Sequence, residues 1–511
     1  MYSPWPDSTL PVADLRDRVA RIGKISAACR TLPARATATV FLTLIITLPV
    51  SKLAAAELHV GGATTSITPD EPVGLSGQLH ARIARSVESP VTATALALES
   101  REGDKSLDQA ILVSCDLVAI RDGVLEMVRE RIKGQLPDFD SGKLVMSATH
   151  THTAPVMRED IYDLSVDGVM QPQEYVEFLV DRIADVVVQA WQSRSAGSAG
   201  WGLGHAVVAQ NRRSTYANGT AQMYGATNDQ NFRGIEGYED HSLDVLCFWD
   251  DQDKLIATAI NIACPAQEVE GGSAVNADFW HTVREALRAK YGEDLLVLAW
   301  TGAAGDQSPH LMYNKAAEER MRQLRGLTRL EELSRRIVAG WEEAYEGAKQ
   351  ERHSDAVLVH QVKTLELPER MVTREEFFEI DAKVRELTSD PAQKTQVAWR
   401  QGTLDRYQRQ QAEGAKPYQM ELHAIRLGDV AVVTNDFELF TDFGIQMKSR
   451  SPALQTFIIQ LAGPGTYVPS PRAARGGGYS AIIESNTVGP EGGQELTERT
   501  VEALNNLWSD K

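Results

Sequence analysis

Two histidines two positions apart, His150 and His152, are the residues of this chain whose type and spacing most directly suggest chemistry. They follow an apolar segment, residues 143–146, that is typical of a short buried strand. On a strand, side chains at i and i+2 point to the same face, so two neutral imidazoles there would form half of a zinc site. The chain has only 11 His in 511 residues, so the pairing does not reflect a His-rich composition. The alternative interpretation is structural hydrogen bonding in a Thr-rich turn.

Four further loops that each follow a predicted strand also carry residues capable of chemistry. They span residues 259–268, 300–310, 435–440 and 463–479. Small residues in the second loop would let the backbone approach a ligand closely, and a Glu at the end of a strand is a plausible metal ligand. Taken one at a time, each loop is equally compatible with an ordinary turn punctuated by Gly and Pro.

The elements that must position these loops alternate between strands and helices. Hydrophobic periodicity predicts strands over 91–98, 109–114, 143–146, 244–248, 255–262, 295–300, 425–433 and 457–462. It predicts helices over 123–135, 173–193, 279–290 and 496–508. The stretch near 315–415 is highly charged, with Glu and Lys or Arg at i,i+4 spacing, and predicts a solvated helical insertion. The fold class is therefore α/β, with mixed layered sheets and helices.

The N-terminal region has the pattern of a secretory signal peptide. A basic segment precedes an apolar run over 38–50, and the run is followed by Ala54-Ala55-Ala56, which is typical of a cleavage site. We expect residues 1–56 to be a signal peptide or an N-terminal anchor and residues 57–511 to be the functional domain. The protein would then be exported to the periplasm or the extracellular space, with no transmembrane segment in the mature chain.

Charge and cysteine content exclude several classes of protein. The formal net charge of −18 argues against nucleic acid as a partner and against anionic membrane surfaces. Three cysteines remain after residue 56, which is not the pattern of a disulfide-stapled scaffold. Cys115 and Cys247 lie in predicted buried strands and are expected to act as small hydrophobic residues.

Taken together, the loop motifs resemble those of the neutral/alkaline non-lysosomal ceramidase family. The run THTHTAP is followed in order by GAAGDQSPH, NDFELF and GTYVPS, with a second tyrosine twelve residues after the one in GTYVPS. The opening segments TSITP and GLSG also fit the family's first strand and its substrate loop. The resemblance covers about residues 58–510 and implies the fold of that family's catalytic domain.

The resemblance implies a zinc-dependent amidase that hydrolyses an N-acyl bond and acts in sphingolipid metabolism. The metal ligands that it implies are His150, Glu438 and Tyr467. The other implied site residues are Ser308 as the catalytic serine, Arg212 and Tyr479 as groups near the developing oxyanion, His152 lining the site, and Gly77 near the scissile carbonyl.

These roles are chemically consistent with one another. A zinc ion with an open coordination position lowers the pKa of a bound water towards about 7 and polarises a carbonyl. Tyr479 and Arg212 would stabilise the tetrahedral oxyanion. Nucleophilic attack by Ser308 is the alternative, but no His or Asp partner pattern for it is visible in the sequence. We favour attack by metal-bound water, with Ser308 as a hydrogen-bonding residue that orients the substrate.

The sequence departs from the family at Cys264, which stands where a zinc-binding His is expected. Cys264 could itself bind zinc as a thiolate. Alternatively, a shifted site could be completed by another residue, and the candidates are His152, His281, Glu268 and Asp278. In the third alternative the metal site is lost and the chain is a non-catalytic binding relative.

A second departure concerns the substrate. Ceramidases of this family carry an immunoglobulin-like domain after the catalytic one, and we expect this chain to lack it. The N-acyl substrate could therefore be ceramide or a soluble compound, such as an acylated amino sugar or a short acyl amide. A metal-dependent hydrolase of another acylated or sugar-derived substrate stays open as an alternative.

Overall fold

The computed structural model describes residues 56–159 and 161–509. The predicted signal peptide therefore lies outside the described residues, apart from its last position. Strands in the described part are β1 (Glu57–Ser66), β2 (Val73–Gly74), β3 (Ile83–Ala84), β4 (Thr92–Glu102), β5 (Lys105–Cys115), β6 (Leu144–Ala148), β7 (Ser195–His205), β8 (Gln210–Asn211), β9 (Arg213–Tyr216), β10 (Ala221–Met223), β11 (Phe232–Ile235), β12 (Ser242–Asp250), β13 (Leu255–Ile262), β14 (Leu296–Thr301), β15 (Gln307–Ser308), β16 (Leu358–Leu367), β17 (Tyr418–Leu427), β18 (Val430–Thr434), β19 (Glu438–Leu439), β20 (Gln455–Ile459) and β21 (Tyr467–Val468).

The helices that connect and cover these strands are mostly amphipathic. They are α1 (Val124–Lys133), α2 (Pro172–Gln192), α3 (Phe279–Tyr291), α4 (Lys315–Arg325), α5 (Arg329–Ala348), α6 (Arg374–Leu387), α7 (Lys394–Glu413), α8 (Thr441–Arg450), α9 (Pro471–Gly476) and α10 (Pro490–Asn506). Within the described ranges, no helix is both long enough and apolar enough to cross a bilayer.

The largest sheet has eight strands in the order β14-β13-β12-β7-β1-β4-β5-β6. Its two edge pairs, β13 with β14 and β5 with β6, are parallel, and the other neighbours are antiparallel. A second sheet has the order β16-β17-β18-β20, and its last pair is parallel. Strands such as β6 and β18 are buried along their whole length because both faces of each sheet are covered.

The two sheets pack face to face, and helices cover their outer faces. The core between the sheets includes Leu96 and Phe248 from the large sheet and Val432 and Phe457 from the second sheet. Helices α1 and α2 cover one half of the outer face of the large sheet, and α3 and α5 cover the other half. Helices α8 and α10 cover the second sheet. This four-layer α/β architecture confirms the predicted fold class.

The predicted elements correspond closely to the observed ones, with small shifts at their ends. The strand predicted over 255–262 has the same bounds as β13, whereas the segment predicted as one strand over 425–433 is a hairpin of β17 and β18. Strand β16 lies inside the stretch predicted to be helical, and its residues pair with the whole of β17. Its mixed pattern of Gln, Lys, Thr and Glu is typical of a strand with one polar face, which charge spacing alone does not reveal.

The charged stretch near 315–415 is helix-rich, as predicted, but its helices have different roles. Helix α4 has no buried residue, as expected for a solvated helix. Helix α5 instead packs Leu333, Ile337 and Trp341 into the core beneath the large sheet. Helices α6 and α7 form a hairpin with a small apolar cluster of its own.

The carboxyl ends of the parallel strand pairs of both sheets meet at one end of the molecule. Hydrogen bonds join the loops that leave the two sheets: the Ala148 amide donates to the Leu461 carbonyl at 3.2 Å, and the Gln460 amide donates to the Thr301 carbonyl at 2.9 Å. The loop after β6, which holds both histidines, therefore lies beside the loops after β14, β18 and β20.

A buried ion pair fixes the start of the histidine loop. Asp116 follows β5 and accepts hydrogen bonds from the Thr92 amide at 2.9 Å and from the Thr149 hydroxyl at 3.3 Å. Arg284 of α3 binds both oxygens of Asp116, at 2.7 and 3.0 Å, and both side chains are almost completely buried. Because Thr149 precedes His150, this carboxylate connects α3 and two strands to the loop that carries the histidines.

We predict that Arg284→Ala lowers the free energy of unfolding by about 3–5 kcal/mol, because Asp116 would be left as a buried charge without its cation. The measurement is urea denaturation of the full chain. Arg499→Ala, which removes an exposed arginine from α10, is the matched control and should leave the free energy of unfolding nearly unchanged. Equal effects of the two substitutions would contradict the role given to the buried pair.

Candidate active site

Two backbone carbonyls hold His150 in place, one at its own amide and one at the Nδ1 atom of its ring. Its own backbone has a positive φ of 69°, and its amide donates to the Leu117 carbonyl at 2.9 Å. Its Nδ1 lies 2.6 Å from the Val118 carbonyl, which can only accept, so Nδ1 carries the proton. In the neutral form of the ring the lone pair is therefore on Nε2, and a backbone carbonyl that orients an imidazole in this way is typical of metal-binding histidines.

The Nε2 atom of His150 faces Glu438. Glu438 begins β19, and the register of β19 with β21 places it directly opposite Tyr467. The Glu438 Oε2 atom lies 3.1 Å from His150 Nε2. Burial by itself raises the pKa of Glu438, but the positive charge of a protonated His150, together with the Arg212 guanidinium, outweighs burial and lowers the pKa below its ordinary value. The carboxyl is therefore ionised at neutral pH.

A bare imidazole nitrogen and a carboxylate oxygen are both acceptors, so only a shared proton or a cation can stabilise their approach. The phenol oxygen of Tyr467 is a third potential metal ligand beside them, and burial raises the pKa of this phenol well above its ordinary value. In the described ranges, no three or more His, Cys, Asp or Glu side chains are grouped so as to hold a metal ion. His150, Glu438 and the Tyr467 phenol nevertheless fit a zinc site with three protein donors and one open position.

Arg212 lies next to these donors and is only 2% exposed. One Nη atom donates to the Gly305 carbonyl at 2.9 Å and to the Tyr467 phenol at 3.2 Å. The other donates to Gln267 Oε1 at 2.8 Å and to the Tyr224 phenol at 3.3 Å. All four hydrogens on the two Nη atoms are thus directed at protein acceptors.

Gln267 links Arg212 to His152. Because a guanidinium can only donate, Gln267 must present its carbonyl oxygen to Arg212 and its NH₂ group to His152 Nε2, which lies 2.7 Å away. The proton of His152 is then on Nδ1, which lies 3.5 Å from Glu270 Oε2. Burial, together with the neighbouring His150 and Arg212, lowers the pKa of His152 well below its ordinary value, so this ring is neutral.

The structure does not bring Cys264 to this cluster. Its side chain is fully buried in the apolar core under α3 and α5, where Sγ contacts the carbonyls of Val208 and Pro265 at 3.8 and 3.6 Å. Burial raises the pKa of the thiol well above its ordinary value, which disfavours the thiolate that zinc requires. The short Cys side chain ends in the core, and Gln267, three residues further along, occupies the space beside His152.

The other residues considered for a shifted site have separate roles. Glu268 pairs with Arg329 at 3.3 Å, and Asp278 accepts the amides of Val269 and Phe279 at the start of α3. His152 lies at the cluster, with its Nε2 3.3 Å from His150 Nε2, and His281 is a residue of helix α3.

Gly77 lies against the face of His152. Its φ of +99° and its closeness to the ring leave no room for a Cβ atom, which would overlap the imidazole. Arg82 holds this arrangement in place by donating to the carbonyls of Ser76 and His152, each at 2.6 Å. The sequence gives no sign of this role, because Arg82 lies far from the histidines along the chain.

Ser308 and Tyr224 lie on the other side of Arg212. Ser308 is completely buried, and its Oγ lies 3.0 Å from the Tyr224 phenol and 3.0 Å from the His310 amide. Tyr224 is 37% exposed and has a positive φ of 52°. Tyr224 lies in none of the loops predicted to carry chemistry, and Gln267 lies in the loop over residues 259–268 but was not among the predicted site residues.

Tyr479 forms the open side of the cluster. Its ring is 40% exposed and packs edge-on against Tyr467 with 5.9 Å between ring centroids. Trp399 of α7 lies 5.6 Å away on the outer side. The structure thus brings His150, His152, Arg212, Glu438, Tyr467 and Tyr479 together, with Gly77 and Ser308 beside them, and leaves out Cys264.

The fold is shared with solved ceramidases. The crystal structure of neutral ceramidase from Pseudomonas aeruginosa matches with a TM-score of 0.64 and 16% sequence identity, over 88% of this chain and 74% of that one. A ceramidase complexed with C2 matches with a TM-score of 0.62 and 16% identity, over 89% of this chain and 76% of that one. No family model and no curated protein matches the sequence. The fold implied by the sequence resemblance is therefore confirmed.

We predict that Gly77→Ala lowers the free energy of unfolding more than Gly103→Ala does. Gly103 also has a positive φ, +60°, but a Cβ there meets no atom within 4 Å. The Gly103 variant should carry only backbone strain of about 1–2 kcal/mol. The Gly77 variant should carry overpacking against His152 of about 1–3 kcal/mol in addition. Denaturant unfolding measures both, and equal losses would show that Gly77 is not packed on the ring.

Proposed function

We propose that this protein is a zinc-dependent amidohydrolase that cleaves the N-acyl bond of a small molecule. The observation that carries the proposal is the Nε2 atom of His150, placed 3.1 Å from the Glu438 carboxylate while Nδ1 of the same ring is held by the Val118 carbonyl. A buried pair of acceptors at this distance is well suited to bind a cation. The shared fold with neutral ceramidase supports the choice of an amide as the bond that is cleaved.

His150, Glu438 and Tyr467 would hold the zinc ion. When bound, the ion would supply Lewis-acid polarisation of the substrate carbonyl and a water with a lowered pKa. His152 is neutral and lies at the edge of this donor set, where it can orient the reacting group. Cys264 has no part in the proposed site, because its thiol ends in the apolar core.

Arg212 has a positioning role in this proposal. Its Nη hydrogens all point at protein acceptors, so through them it holds Tyr467, Gln267 and Tyr224 in place. The hydroxyl of Tyr479 remains as a donor for the oxyanion that develops during amide hydrolysis. We therefore assign oxyanion stabilisation to this phenol.

The substrate class is an N-acyl compound, either ceramide or a soluble acylated amine. We also propose that residues 57–511 form the catalytic domain and that the chain is exported, on the basis of the apolar run and the Ala-rich site before residue 57. Export would place the enzyme in the periplasm or outside the cell.

We predict that the purified wild-type protein binds about one zinc ion per chain and that Glu438→Gln loses most of it, because the substitution removes the charge that faces His150. Elemental analysis after zinc loading and dialysis measures the content. Cys264→Ala is the control and should retain zinc at the wild-type level. Loss of zinc from the Cys264 variant, or a wild type that binds none, would contradict the donor set.

We further predict that the wild type releases a primary amine from at least one N-acyl compound. The test set is ceramide in detergent, N-acyl amino sugars and short acyl amides, with amine release measured by a fluorogenic reagent. Glu438→Gln should show no release above background, whereas Cys264→Ala should remain active. A wild type that binds zinc but cleaves none of these amides would exclude the proposed activity while leaving the metal site intact.

A further inference from the structure

The hydroxyl of Ser308 has no access to a substrate in this arrangement. Ser308 is 0% exposed, and its Oγ has two hydrogen-bonding neighbours in the described structure, the His310 amide and the Tyr224 phenol, each at 3.0 Å. The amide can only donate. The acceptor available to the Ser308 proton is therefore the phenol oxygen of Tyr224.

The same balance of hydrogen-bond donors and acceptors shows which bonds the Tyr224 hydroxyl accepts. Tyr224 Oη accepts a hydrogen bond from Arg212 at 3.3 Å, because a guanidinium can only donate. It also accepts the hydrogen bond from the Ser308 hydroxyl, for which it is the available acceptor. A phenol oxygen that accepts two hydrogen bonds has its own proton left to donate. Tyr224 is 37% exposed, so this side chain can be reached from outside the site.

The backbone conformation of Tyr224 is unusual. Its φ of 52° lies in the left-handed region, which is uncommon for a bulky residue and is often associated with functional sites. The Tyr224 amide donates to the Arg212 carbonyl at 2.7 Å, so the backbone of Tyr224 is bonded directly to that of Arg212. Its ring also packs against His310, with 5.6 Å between the ring centroids.

We propose that Tyr224, and not Ser308, is the hydroxyl group that contacts the substrate, and that Ser308 is a positioning residue that acts through Tyr224. The proposal rests on the proposed amidohydrolase function and adds a second phenol to Tyr479 as a donor to the substrate oxygen. Donation from a cation and from a hydroxyl polarises the phenol, which strengthens its O–H as a hydrogen-bond donor.

A serine nucleophile would require a different arrangement. It needs a base within hydrogen-bonding distance of Oγ to take its proton. In the described structure, the Nε2 atom of the nearby His310 instead lies 2.7 Å from the backbone carbonyl of Gln267. The neighbours of Ser308 thus supply one donor and one phenol that is already polarised by Arg212.

The test compares Tyr224→Phe, Ser308→Ala and the double variant on the most active N-acyl substrate. Tyr224→Phe should lower kcat/KM by about 10²-fold through kcat, as expected for loss of a donor to a developing oxyanion. Ser308→Ala should lower it by about 10-fold or less and should have no further effect in the Tyr224→Phe background. Tyr216→Phe, on neighbouring β9, is the matched control and should retain wild-type activity.

Loss of activity in Ser308→Ala with near-normal activity in Tyr224→Phe would overturn the proposal. A second measurement needs no substrate: a serine-directed fluorophosphonate is incubated with the wild type and any adduct is mapped by mass spectrometry. No adduct on Ser308 is expected, and an adduct there would overturn the proposal even if every amide fails as a substrate. Denaturant midpoints of all variants confirm that they are folded.

Discussion

The arrangement of the site depends on the fact that the buried guanidinium of Arg212 can only donate hydrogen bonds. This single constraint fixes the amide orientation of Gln267, and through it the tautomer of His152. It also fixes Tyr467 and Tyr224 as acceptors toward Arg212. Burial by itself lowers the pKa of Arg212, but the two phenols and Glu438 outweigh it and raise the pKa, so the charge is permanent.

The two sheets supply different parts of the site. The large sheet contributes the loop with His150 after β6 and the loop with Gly305 after β14, and the second sheet contributes Glu438 after β18. A side chain at Gly305 would overlap the backbone of Glu438, so glycine is required where the two loops meet. The position of the proposed metal ligands therefore depends on the packing of one sheet on the other, and not on a single supersecondary unit.

The presence of Cys264 at the expected histidine position is compatible with the proposed zinc chemistry. A catalytic zinc site needs three protein donors and one open position, and in the proposal His150, Glu438 and Tyr467 would supply the three. Cys264 has become part of the core beneath α3 and α5. Gln267 takes the position beside His152, where it holds the imidazole by a hydrogen bond.

The sequence by itself determined the local elements and the donor residues that they carry. Periodicity located β13 with its correct bounds, and the motifs placed His150, Glu438 and Tyr467 in strand-end loops, because both signals depend on neighbouring residues. Only the tertiary structure decided that Cys264 points into the core, that Ser308 is buried and that Gln267 and Tyr224 belong to the site. Those outcomes follow from hydrogen-bond directions and burial among segments far apart in the chain, such as Arg212 and Gln267, and no local pattern encodes them.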